Sequence, residues 1–97
     1  MKTKYTVITG ASSGIGRAVA LKFAERNKNL ILIARRKNLL EDLKSEILKK
    51  NPNLDILVID FDLTDVDKIP ELYSKLNNYH IETLINNAGF GMYGDIK

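Results

Sequence analysis

The sequence predicts a doubly wound α/β domain, a parallel sheet of about four strands with three helices packed on its two faces. Three observations predict it. Four short apolar runs, β-branched and nearly continuous rather than alternating, punctuate the chain, as strands buried on both faces do. Helical apolar periodicity fills the three gaps between them. Strand and helix therefore alternate three times before a fourth strand, and parallel strands joined by helical crossovers follow, in the expected order 3-2-1-4.

Each element has its own local justification. Residues 5–9 form the first strand, and in the helix after it Ile15, Val19 and Phe23 fall four apart and share a face. Residues 30–34 form the second strand. The second helix presents Leu39 or Leu40, then Leu43 and Ile47, and ends at Asn51-Pro52-Asn53, because proline cannot continue a helix and disfavours one before it. Residues 54–59 form the third strand. The third helix takes Thr64 as its N-cap, with Asp65 and Asp67 in the first turn, where negative charge is favoured. Val66, Ile69, Leu72, Tyr73 and Leu76 line its face, and Pro70 limits where its regular part begins. Residues 83–85 form the fourth strand. His80, just before it, has no partner motif and reads as a surface residue.

Composition narrows the function classes. The chain has 97 residues, 44% hydrophobic and 28% charged, ordinary values for one soluble domain. With no cysteine and one histidine, neither a disulfide framework nor a thiolate- or histidine-based metal site is available. Asp60, Asp62, Asp65 and Asp67 lack the glycine turn and closing glutamate of a calcium loop. The apolar runs are too short for a signal peptide or a membrane span, so a cytoplasmic protein with no membrane partner is expected. Charge is uneven. Residues 1–50 carry 12 Lys/Arg against 4 Asp/Glu, and residues 51–97 carry 3 against 8. A basic first half favours an anionic partner. Most of these cations belong to solvated helix faces; Arg35 and Arg36, at the end of the second strand, do not fit that description.

The first strand runs directly into Thr9-Gly10-Ala11-Ser12-Ser13-Gly14-Ile15-Gly16, which opens the first helix. A helix start presents unpaired N–H groups and a partial positive charge. Glycines let a phosphate approach that backbone, and serine hydroxyls add donors. Gly16, one turn in, allows the helix to pack closely on the first strand. The spacing G-x-x-x-G-x-G differs from the G-x-G-x-x-G dinucleotide fingerprint, and the Lys-Ser/Thr ending of an ATP-binding loop is absent.

Residues 9–16 resemble the coenzyme motif of the short-chain dehydrogenase/reductase family. Asn86-Asn87-Ala88-Gly89 is similar to that family's second hallmark, and Asp62-Leu63-Thr64 to its adenine-pocket segment. The resemblance covers the whole chain but only the N-terminal portion of the family. It implies a Rossmann-like half-domain over residues 1–97 and a coenzyme-binding set of Gly10, Ser12, Ser13, Gly14, Ile15, Gly16, Arg35, Arg36, Asp62, Leu63, Asn87, Ala88 and Gly89. Where an acid would accept hydrogen bonds from a free ribose 2′-hydroxyl, this chain has Ala34-Arg35-Arg36. Arginine suits bidentate phosphate contact, so NADP(H) rather than NAD(H) is expected. The resemblance implies that Arg35 meets the 2′-phosphate, with Ser12 or Ser13 assisting, and that Asp62 accepts from the adenine amino group.

The same resemblance implies a Ser, Tyr and Lys triad for hydride transfer between NADPH and a carbonyl or alcohol substrate, lying well downstream of Gly89. The Tyr93 and Lys97 pair has the right spacing but stands too close to Gly89, beside a glycine, with no preceding serine. The expectation is therefore an inactive partial stretch of a longer reductase, homo-oligomeric when whole. Its exposed fourth-strand edge favours self-association of the isolated stretch. The alternative is a non-catalytic nucleotide-binding or interaction module that keeps the half-fold. No nucleic-acid partner is expected, and a phosphorylated receiver domain is excluded because the first strand ends in Thr9-Gly10 rather than an acidic cluster.

Overall fold

A computed structural model describes residues 3–87. Its elements are β1 (Lys4–Thr9), α1 (Gly14–Glu25), β2 (Asn29–Ala34), α2 (Lys37–Lys50), β3 (Ile56–Asp60), a 3₁₀ turn (Val66–Lys68), α3 (Ile69–Leu76) and β4 (His80–Asn86). The four strands are parallel and ordered β3-β2-β1-β4, the expected order. Ala88, Gly89 and the Tyr93/Lys97 pair lie outside the described residues.

Side-chain alternation along each strand builds two cores. Ile8, Leu30, Leu32 and Ile56 point to one face and meet Ala20 and Ala24 of α1 and Leu40, Leu43 and Ile47 of α2. Tyr5, Val7, Ile31 and Ile33 point to the other and meet Leu63 and, from α3, Leu72 and Leu76. β1 and β2 are buried on both sides, which is why their sequences read as continuous apolar runs. In β4 the register with β1 slips between Tyr5 and Thr6, so that Ile81 faces Tyr5 while Thr83 faces Thr6. Glu82 is the extra residue. The slip puts both Ile81 and Leu84 against the α3-side core although they stand three apart.

Three local expectations are corrected. On α1 the buried stripe is Gly16, Ala20 and Ala24, and Ile15 is 73% exposed, with Val19 and Phe23 only half-buried. Small residues let the helix lie close on the sheet, so the largest apolar side chains are the wrong guide to its inner face. Thr64 does not cap α3: its hydroxyl and its N–H both donate to the Asp62 Oδ1, at 2.6 and 2.9 Å. The nearer acceptor wins, and the chain passes through the 3₁₀ turn before α3 starts with Pro70 in its first turn, where a missing N–H costs nothing. Val66 consequently leaves the helix face and is 67% exposed. On α2 the open alternative resolves to Leu40, which is fully buried, while Leu39 is exposed. His80 is the exposed first residue of β4. Among the described residues, no helix is long and apolar enough to cross a membrane.

At the amino ends of the strands, the buried Tyr5 donates its phenol proton to Asp55 and packs edge-on against Tyr79, ring centroids 5.3 Å apart. The Asp55 carboxylate, with burial, pushes the Tyr5 phenol up to about 12. Below pH 10 this contribution to stability is complete. It is lost as pH rises through the interval from the unfolded value near 10 to about 12, because the unfolded chain releases the proton first. Tyr5→Phe is expected to cost about 1 kcal/mol at pH 8 and to flatten this alkaline decline, as measured by urea unfolding between pH 8 and 12. The Thr6 hydroxyl is fully buried and has no hydrogen-bond partner among the described residues. Thr6→Val keeps the shape and removes the orphan group, so a gain of about 1 kcal/mol is expected in the same unfolding experiment.

Candidate nucleotide-binding site

The carboxyl ends of β1, β2 and β3 meet the starts of α1 and α2, and the site is built there. β1 delivers the chain to Gly10, whose φ of 64° lies in the left-handed region that favours glycine. Its carbonyl is gathered inward by three donors: the Ser13 N–H at 3.2 Å, the Ser13 hydroxyl at 2.8 Å and the Asn87 amide at 3.3 Å. Ser13 is the N-cap of α1, and its Oγ also accepts from the Gly16 N–H at 3.4 Å. A Cβ on Gly16 would stand 2.1 Å from the Gly10 carbonyl oxygen and 2.8 Å from the Asn87 Nδ2. A Cβ on Gly14 would meet nothing within 4 Å, so that side of the helix start is open. Gly14 and Ile15 occupy the first helical positions, where the N–H groups have no intrahelical carbonyl to bond. The first turn of α1 holds no acid. The result is a positive, donor-rich helix mouth with its repelling carbonyl turned away.

Beside this mouth lies a cavity of about 300 Å³ lined by Gly10, Ser12, Ala34, Arg35, Arg36, Phe61, Asp62, Leu63 and Thr64. Its volume suits one nucleoside rather than a whole dinucleotide. β2 ends at Ala34, which holds the turn after β3 by accepting from the Phe61 N–H at 2.9 Å. Arg35 and Arg36 are exposed over the cavity, and Arg36 is the N-cap of α2 with no side-chain hydrogen bond to the helix. No acid stands in the first turn of α2, which opens with Lys37. Three cations thus crowd the positive end of a helix dipole, an arrangement that an anion relieves. Across the cavity, the two hydrogen bonds from Thr64, first the hydroxyl and then the N–H, hold the Asp62 carboxyl below the usual carboxylate range, and the Arg35 charge acts in the same direction. Asp62 is an acceptor held in place by its own turn.

The structure brings Gly10, Ser12, Arg35, Arg36, Asp62 and Leu63 into one cavity. Ser13, Gly14, Gly16 and Asn87 form the adjoining helix mouth, and Ile15 lies exposed beside it. Leu63 is buried in the α3-side core, so only part of it meets the cavity. Ala88 and Gly89 lie outside the described residues. Sequence reading missed Phe61 and Ala34 as lining. It placed Thr64 in the adenine-pocket segment but read it as a helix cap; the Asp-x-Thr spacing at residues 62–64 is the signal for its bond to Asp62, since a threonine two residues after an aspartate readily closes such a turn.

The sequence profile of the short chain dehydrogenases matches residues 4–97. The chain belongs to that family. It is 38% identical over 87 residues to an uncharacterized oxidoreductase of Mycobacterium tuberculosis, covering 88% of this chain and 34% of that one. It is 36% identical over 95 residues to a very-long-chain 3-oxooacyl-coA reductase of Caenorhabditis briggsae, covering 95% of this chain and 30% of the relative. Among solved structures, a bulky-bulky ketone specific alcohol dehydrogenase from Comamonas testosteroni superposes with a TM-score of 0.81 at 39% identity, over 97% of this chain and 38% of that one. A short-chain dehydrogenase from Sphingobium yanoikuyae in complex with NADPH superposes with a TM-score of 0.81 at 35% identity, over 94% and 36%. The chain thus spans about a third of the length of the relatives it matches.

The two glycines of the helix mouth should behave oppositely. Gly16→Ala must displace backbone and is expected to destabilise by about 3 kcal/mol or more. Gly14→Ala meets no clash and is expected to leave stability within about 1 kcal/mol of the parent. Paired thermal denaturation curves check this.

Proposed function

We propose that this chain is the NADP(H)-binding portion of an oxidoreductase that moves a hydride between NADPH and a carbonyl or alcohol substrate. The observation that carries the coenzyme preference is the end of β2, where Arg35, Arg36 and the uncapped start of α2 share a cavity with Ser12. A 2′-phosphate there would accept from the arginine guanidinium and neutralise a cation cluster. A free ribose hydroxyl would find no carboxylate at that position to receive it. The NADPH complex of the Sphingobium yanoikuyae relative supports the same reading.

The rest of the coenzyme follows from the chain's own groups. The N–H groups at the mouth of α1, beside Gly14, would hold the pyrophosphate. Arg36 and Leu63 line the cavity that would take the adenine, where Asp62 would accept from its amino group. Of the two serines, Ser12 lines the cavity, whereas the Ser13 hydroxyl is spent within the loop. NADPH supplies the hydride when bound. The residues that protonate the substrate oxygen belong, by family resemblance, to sequence beyond Gly89, and so does substrate choice. The 3-oxooacyl-coA and bulky-ketone relatives put carbonyl compounds of large size among the first substrates to try.

Fluorescence titration of the full-length protein with NADPH and NADH tests the reading. NADPH is expected to bind at least tenfold more tightly. Arg35→Ala is expected to cost about 2 kcal/mol, or roughly 30-fold, in NADPH affinity while leaving NADH within about threefold. Equal affinity for the two coenzymes, or an equal loss of both in the variant, rejects the arginine argument.

A further inference from the structure

We propose that Phe61 sets the size limit of the base the site accepts, by walling the adenine cavity off from a second groove on the α3 side. The inference rests on the reading above, that the cavity at the end of β2 receives the adenosine part of the coenzyme. Phe61 stands one residue before the Asp62-Leu63-Thr64 segment and belongs to none of the chain's motifs.

The direction of its side chain follows from β3. Leu57, Ile59 and Phe61 stand two apart and pack against the α3-side core, whereas Val58 packs against the opposite core. Phe61 thus continues the strand's alternation one step past its last residue, Asp60. Its backbone is tied as well, because its N–H donates to the Ala34 carbonyl at 2.9 Å. Backbone and ring are therefore held by separate constraints, and the ring stays half-buried at the carboxyl edge of the sheet.

Two cavities meet there. One is the cavity of about 300 Å³ that holds the arginines and Ser12. The other, of about 260 Å³, lies between the end of β3 and α3, with Asp60, Asp65, Lys68, Glu71 and Lys75 on its walls. Among the described residues, Phe61 and Asp62 line both, so they form the partition. They contribute to it differently. Asp62 offers an acceptor to the adenine amino group, and Phe61 offers bulk. A cavity of nucleoside size has no room for a further ring on the base, whereas the groove behind the partition has. A group on the amino nitrogen would be directed at Asp62 and would run into Phe61. Overfilling a packed site of this kind costs about 5- to 150-fold in affinity. Shortening Phe61 would join the two cavities, and a ring on the ligand would take the space the phenyl ring has left, a swap that conserves volume.

The test uses the full-length protein and its Phe61→Ala variant, titrated by fluorescence with NADPH and with NADPH carrying a methyl or a benzyl group on the adenine amino nitrogen. Both analogues keep one N–H there for Asp62, so bulk is what separates them. In the parent, the methyl analogue is expected to bind within about threefold of NADPH and the benzyl analogue at least about 30-fold more weakly. In Phe61→Ala the ratio of the benzyl to the NADPH dissociation constant is expected to fall by at least about tenfold, whatever the variant does to NADPH itself. A merely structural role would weaken all three ligands together, and an unchanged ratio overturns the proposal. Should Phe61→Ala fail to fold, Phe61→Val shortens the side chain with a residue suited to a strand and is expected to move the ratio the same way. Equal rejection of both analogues by the parent places the limit at Asp62 and also overturns it. A parent that takes the benzyl analogue as readily as NADPH overturns the partition while leaving the coenzyme reading intact. Parent protein that binds none of the three overturns both readings.

Discussion

The close approach of Gly16 to Gly10 is the constraint on which the rest of the site depends. A Cβ at residue 16 would sit 2.1 Å from the Gly10 carbonyl oxygen, so α1 can rest on the end of β1 only with glycine at residue 16. That contact sets the height of the helix over the sheet. It also sets what can line the helix's inner face, which is why Ala20 and Ala24 follow Gly16 where bulkier residues would lift the helix away. With the helix so placed, Ser13 falls within reach of the Gly10 carbonyl and caps the helix, and the first N–H groups of α1 open toward the carboxyl edge of the sheet. One steric requirement thus positions both a core and a binding surface.

Electrostatics at the same edge run against folding stability and toward binding. Arg35, Arg36 and Lys37 surround the positive end of α2, with neither an acidic first turn nor a capping side chain to offset them. Elsewhere the chain places charges more conventionally. Lys49 and Lys50 close α2 at its negative end, and Arg17 pairs with Glu46 at 2.6 Å across α1 and α2, an exposed contact of small value. The unfavourable arrangement is therefore confined to the cavity that a nucleotide would enter. Asp62 completes that cavity with the opposite charge, its carboxylate held by the Thr64 hydroxyl and N–H, so that its two sides differ in the chemistry they offer.

Much of the architecture was legible in residue order. Continuous β-branched runs marked buried parallel strands, and the glycine loop after β1 and the arginines after β2 were legible as candidates that the fold brings to one edge of the sheet. The errors came from features that depend on neighbours distant in sequence. Ile15 looked like core and is exposed, because the helix is drawn in by glycine and alanine rather than by its largest side chain. Thr64 looked like a cap and instead bonds Asp62, because the competition between two acceptors is decided by chain geometry.

What the sequence by itself determined was the alternation of strand and helix, the glycine-rich helix start after β1 and the absence of an acid at the end of β2. These follow from local periodicity, backbone freedom and charge, which travel with the residues themselves. Only the tertiary structure decided that Ser13 faces the loop while Ser12 faces the cavity, that Asn87 reaches back from β4 to hold the Gly10 carbonyl, and that Glu82 is the extra residue that keeps Ile81 and Leu84 on one face. The physical reason is that a hydrogen bond or a register is a relation between strands. Residues 10 and 87 become neighbours only when β1 and β4 pair, and no local pattern in either segment specifies which oxygen the amide will find.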